Sequence, residues 1–189
     1  SINAAPTTPL YLGYGGTGFT GAAPGTQFEQ ARIYDNALSA IDVAVLSDAT
    51  DRLGLVAQWS LNEASSGDVT AGQIQDTGAN AYNSVNTGVY GSGTPTWTTW
   101  GGPSYPNSDG IAVQLNGGNL YFGTGASYEL LITGALSVFL RLKFDGSTAG
   151  YDSYAGRLGS STDGSTDNSW SLYTDPSHHL RFDLHSGTS

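Results

Sequence analysis

The sequence predicts an all-β fold, an antiparallel β-sandwich with one short helix. Apolar and polar residues alternate along most of the chain, the period of strands with one buried face. Clusters of Gly, Asn, Asp, Ser and Pro punctuate the alternating runs, as hairpins and loops require. Hydrophobic residues make up 38% of the 189 residues, with four Trp, eleven Tyr and six Phe, so a core is affordable despite 27 Gly.

Taken in order, "PLYLGYG" places Leu10, Leu12 and Tyr14 on one face. "FEQARIYDNALSAIDVAVL", Phe28 to Leu46, reads as a strand, a polar connection and a capped helix. Ser39 with Asp42 three residues later forms a capping-box arrangement, and Asp42 puts negative charge in the first turn, where the helix dipole favours it. So short a helix needs tertiary support, and Ile41, Ala44 and Val45 are expected to pin it against the sheets. In "GLVAQWSLNE", Leu55, Ala57, Trp59 and Leu61 point one way. In "GIAVQLNGG", Ile111, Val113 and Leu115 do so, and in "ALSVFLRLKF" Leu136, Val138, Leu140, Leu142 and Phe144 face a core. "NSWSLY" and "HLRFDLH" continue the period through Trp170 and Leu172, then Leu180, Phe182 and Leu184.

The formal net charge is -10, with six basic residues spread singly, so no basic patch exists for nucleic acid or an anionic membrane surface. There are no cysteines, hence no disulfides and no thiolate metal site. No apolar run approaches the roughly 20 residues of a membrane span. Without Met or a visible leader, the chain is expected to be an interior piece of a longer protein, or one that has lost its initiator.

These residues resemble a family, the LamG-like jelly roll of the concanavalin A-like lectin and glucanase superfamily. The family's opening pattern is matched by "GLVAQWSLNE", "DTGANAYNS" from Asp76 to Ser84, and "GIAVQLNGG". Its next strand looks like "LSVFLRLKF", and a later one like "HLRFDLH". Its closing pattern looks like "LYLGYG" followed by "FEQARIYDNALSAIDV". The order is rotated: residues 1–50 resemble the closing strands and helix of a domain, and 51–189 the opening two thirds of a following or partner-completed one. The family's intervening strand pair is not matched, so a hairpin of roughly 20–35 residues is lacking. Three arrangements accommodate this, in order of preference: a window onto a tandem array, a swapped assembly of neighbouring chains, or a permuted domain. In each, an unfinished sandwich exposes strand edges and a bare apolar face that something outside the sequence covers.

Hydrolysis of a glycoside needs two carboxylates about 5–9.5 Å apart, yet the only glutamates are Glu29, Glu63 and Glu129, far apart in sequence. No G-x-S-x-G elbow is present. Neither pattern predicts an enzyme. His179, Arg181, Asp183 and His185 share one strand face, where next-but-one spacing and the intervening Arg181 suit solvent better than zinc.

Calcium suits the Asp76 loop better, where Asp76, Asn80 and Asn83 supply oxygen donors beside Gly78. The resemblance implies that such a loop holds a structural calcium ion with an acidic residue of the closing strand, here Glu29; the alternative is a turn in which Asp76 caps its own loop. For sugar stacking, Trp97, Trp100 and Tyr105 lie in a Pro- and Gly-rich stretch. The two tryptophans, three apart, face opposite sides, so one is expected in the core and the other exposed or over a sheet edge. Tyr151 and Tyr154 form a second aromatic candidate.

These features predict a non-catalytic recognition or adhesion module that binds carbohydrate, inside a larger protein at an extracellular, cell or virion surface. Its partners would be a glycan or particle surface, and neighbouring domains or identical chains that complete the sandwich. The competing expectation is a structural module of a filament, fibre or virus particle. An exposed aromatic among polar neighbours would favour binding. A large apolar interface completing the sandwich would favour assembly.

Overall fold

The computed structural model describes residues 10–13, 22–23, 25–45, 54–78, 84–87, 93–104, 108–122, 135–145, 152–157 and 170–184. Two antiparallel sheets pack as a sandwich with almost no helix. The strands are β1 (Leu10–Leu12), β2 (Gln27–Tyr34), β3 (Leu55–Trp59), β4 (Gly67–Asp68), β5 (Ser84–Thr87), β6 (Thr96–Thr99), β7 (Ile111–Gln114), β8 (Leu120–Phe122), β9 (Ser137–Lys143), β10 (Asp152–Arg157), β11 (Trp170–Thr174) and β12 (Leu180–Leu184). The helix is α1 (Ala40–Val45).

One sheet runs β12-β11-β10-β1-β8-β5, and the other β3-β2-β7-β6-β4 with β9 also on β2. Residues 1–50 thus contribute β1 and β2, and both pair with strands of 51–189. β1 lies between β8 and β10. β2 pairs with β9 along Gln27 to Tyr34, with β3 from Ala31 to Tyr34, and with β7 at Gln27 and Phe28. Residues 1–50 and 51–189 therefore share both sheets within one chain.

The core follows the alternation in the sequence. Leu10, Leu12, Phe28, Ala57, Trp59, Leu61, Val113, Leu115, Leu120 and Phe122 are buried between the sheets. Trp59 of β3 and Phe122 of β8 meet across the sandwich with ring centroids 4.3 Å apart, an aromatic contact that adds to the area it buries. β1 ends at Gly13, whose φ of +83° belongs to the left-handed region and whose N–H reaches Tyr154 O at 2.8 Å. A Cβ there would overlap the Leu115 side chain, so glycine is required twice over.

The helix is capped as expected. Asp42 Oδ2 accepts from Ser39 N at 2.7 Å and Ser39 Oγ from Asp42 N at 3.3 Å. Hydrogen bonding from the Ser39 hydroxyl, then from its amide, holds the Asp42 carboxyl below its ordinary value. The expected anchor Ile41 is corrected, however, because it is 76% exposed. The side chains of Ala44 and Val45 lie outside the described residues. What ties this corner down precedes the helix: Leu38 N donates to Ser137 Oγ at 3.0 Å, and Ser137 Oγ donates to Asn36 O at 2.8 Å, clamping the "DNALS" turn onto β9.

Replacing Trp59 with Ala is expected to cost about 3–5 kcal/mol, whereas Ile41→Ser is expected to stay within about 0.5 kcal/mol, both read by urea denaturation.

Candidate functional site

The Asp76 loop folds on its own hydrogen bonds. Asp76 makes an isolated bridge to Trp59, and its Oδ1 accepts from Gln58 N at 2.9 Å and from Gly78 N at 2.7 Å. Thr77 N donates to Gln58 O at 2.8 Å, so the loop is stitched to β3. This is the self-capped turn. Glu29 is also committed: Arg141 Nη1 lies 3.2 Å from its Oε2, and Ser108 Oγ donates to its Oε1. Asn80 and Asn83 lie outside the described residues. Of the expected calcium set, Asp76 and Glu29 are thus engaged by groups of the chain itself, and among the described residues no three His, Asp or Glu gather as ligands.

Both tryptophans of the expected aromatic platform are covered. Trp97 lies in the core at 4% exposure, and Trp100, expected on the opposite face, is only 8% exposed. β6 ends at Thr99, so Trp100 has left the strand and strand alternation no longer governs it. The Gly101–Ser104 turn folds over its ring, with Nε1 donating to Pro103 O at 2.9 Å and Gly102 packed against the indole. Neither indole offers a sugar its face. Tyr105 and Tyr151 lie outside the described residues. Tyr154 is buried, its hydroxyl 3.1 Å from Thr174 Oγ1, and burial raises its pKa.

The unusual surface lies elsewhere. Sequence periodicity assigns Leu180, Phe182 and Leu184 to a core face, but they are 66%, 45% and 55% exposed. Their direction was legible; their cover was not. They share a face with Thr174, Leu172 and Trp170, the partners opposite them on β11. Across from them, β9 presents Val138, Leu140 and Leu142, half-buried, and Phe144, exposed. Between β9 and the β10-β11 face, reaching Leu180 at the start of β12, lies a cleft of about 540 Å³ lined mainly by apolar side chains. Among the described residues β9 pairs only with β2, and β12 only with β11.

The hairpin that carries β12 is rigidly specified. Pro176 presets the turn. His178 N donates to Asp175 O at 2.8 Å, and Asp175 N to His179 O at 3.0 Å. His178 takes the left-handed position with φ +64°, as a three-residue hairpin loop demands. Asp175 Oδ1 accepts from Ser177 N at 2.9 Å and His179 N at 3.0 Å, and its Oδ2 is 2.8 Å from Arg181 Nη2. The His179 amide foremost, with Arg181 assisting, draws the Asp175 pKa down to about 2.

Comparison with protein-family models, with curated proteins and with solved structures finds no match.

Three outcomes are expected. Glu29→Gln should destabilise the fold by about 3–5 kcal/mol, as removal of one partner of a buried ion pair does. Millimolar calcium should leave the Tm of the parent chain unchanged; a calcium-dependent rise abolished by Asp76→Asn would return the ion to this loop. For Asp175 the folded pKa is the lower one, so its contribution is present above the ordinary value of 3.8 and lost as pH falls through about 2. A carbon-13 titration of its carboxyl should show that midpoint, with loosening of the 175–179 turn below it. A midpoint near 3.8 would show that the carboxylate does not hold the turn.

Proposed function

We propose that this chain is a non-catalytic structural module whose lectin-like sandwich serves assembly in a larger filament, fibre or particle outside cells. The observation that carries this is the apolar cleft beside β9, continued by the exposed Leu180, Phe182 and Leu184 of β12, with both strands at sheet edges among the described residues. Folded proteins rarely leave so continuous an apolar surface beside unpaired backbone, because both invite association. The LamG-like resemblance supports the same reading, since the strand pair unmatched in the sequence would follow the strand that is β12 here. Strands of a neighbouring module or an identical chain would close the cleft and supply backbone partners.

Carbohydrate recognition, the first expectation, loses its main support with both tryptophans covered. The chain's acidity fits a solvated particle surface. No helix among the described residues is long and apolar enough to cross a membrane.

Sedimentation of the chain over a concentration series should show reversible association. A Leu140→Ser, Phe144→Ser variant, which makes the β9 wall of the cleft polar, should weaken it. A monomer at every concentration that binds a glycan array would overturn the assembly reading in favour of recognition.

A further inference from the structure

We infer that the edge of β12 away from β11, which has no strand partner among the described residues, pairs with β12 of a second copy of this chain, antiparallel about a two-fold axis through Phe182. This rests on the assembly reading and names the partner.

The strand reads Leu180-Arg181-Phe182-Asp183-Leu184. Antiparallel pairing centred on Phe182 sets Leu180 opposite Leu184 of the second copy, and Phe182 opposite itself. Arg181 then faces Asp183 of the second copy, and the symmetry repeats that ion pair. A two-fold contact needs a surface complementary to itself, and this five-residue strand is complementary in both apolar character and charge. β9, the other edge of the cleft, is not. Self-pairing centred on Leu140 would oppose Ser137 to Lys143 and Phe139 to Arg141, whose guanidinium is engaged by Glu29.

The backbone agrees. Asp175 and His179 form the hydrogen-bonded pair that closes the hairpin. Antiparallel ladders alternate hydrogen-bonded and non-bonded pairs. Arg181 and Asp183 therefore bond toward β11, while the N–H and C=O groups of Leu180, Phe182 and Leu184 point to the free edge. In the two-fold pairing all three facing pairs among those residues exchange their bonds. Arg181 and Asp183 fall at the alternate positions, where side chains approach most closely.

Both charged groups retain capacity for a second partner. Arg181 uses Nε and Nη2 on Asp175, at 2.9 and 2.8 Å, out of five N–H donors. Asp183 Oδ2 accepts from the Tyr173 hydroxyl at 2.6 Å, while a carboxylate has about four acceptor sites. An axis perpendicular to the sheet keeps both apolar faces on one side. The six-stranded sheets then join edge to edge, and the two clefts become neighbours.

The test uses the charges. Arg181→Asp leaves only carboxylates facing carboxylates across the axis, and Asp183→Arg leaves only guanidinium groups. Each variant should self-associate about tenfold or more weakly than the parent, from two reversed cross-strand pairs. Mixed in equal amounts, the two variants are complementary again and should form a heterodimer near the parent affinity, read by sedimentation. That rescue also excludes misfolding as the cause of the loss. Association indifferent to both substitutions would overturn the β12 pairing while leaving the assembly reading intact. A parent chain that stays monomeric would overturn both the pairing and assembly between copies, and would give the edge to a strand of different sequence.

Discussion

The sheet that contains β2 depends on one buried carboxylate. A strand has two edges, and β9 occupies one edge of β2 along its length. The other edge is divided, with β7 taking Gln27 and Phe28 and β3 taking Ala31 onward. Glu29 sits at the fork, where the register with β9 also slips between Phe28 and Gln30. Its carboxylate holds Arg141 of β9 on one oxygen and Ser108, just before β7, on the other. A bulge would otherwise leave backbone and strand direction loosely specified. The ion pair fixes where β9 lies, and β9 is one wall of the open cleft. The position of that cleft is therefore set from inside the sheet.

Much of the fold was legible, and particular residues show why. Ala57, Trp59 and Leu61 alternate in sequence and are buried in the structure, because β3 is covered on its inner face. The Ser39 and Asp42 pair announced the helix start, because capping is local chemistry between residues three apart. Alternation failed where the chain stopped being a strand, as at Trp100, whose cover comes from the turn that follows it. It failed differently at Leu180, Phe182 and Leu184. There the period gave the correct face, but burial depends on what the opposite sheet contributes, and no period in one strand carries that information.

The candidate sites were less legible for a related reason. Asp76 and Glu29 have the oxygen chemistry of calcium ligands, yet the same chemistry satisfies amides, a hydroxyl and a guanidinium. Residue type does not distinguish a carboxylate awaiting a cation from one already bonded to its own protein. Buried carboxylates need partners of some kind, and here the chain supplies them. The cleft, by contrast, is defined by how the two sheets are placed rather than by a motif, so only the arrangement of β9 across from β10 and β11 reveals it.

The turn at His178 reaches further than its own hairpin. Three loop residues separate Asp175 from His179, and that count fixes the phase of every position in β12. One residue more or fewer would rotate the strand by half a period, turning Arg181 and Asp183 inward and presenting leucines to the outer surface. Loops generally tolerate changes in length, but this one is subject to a parity rule. Descendants of this sequence are free to exchange the side chains of the loop, and are held to its length.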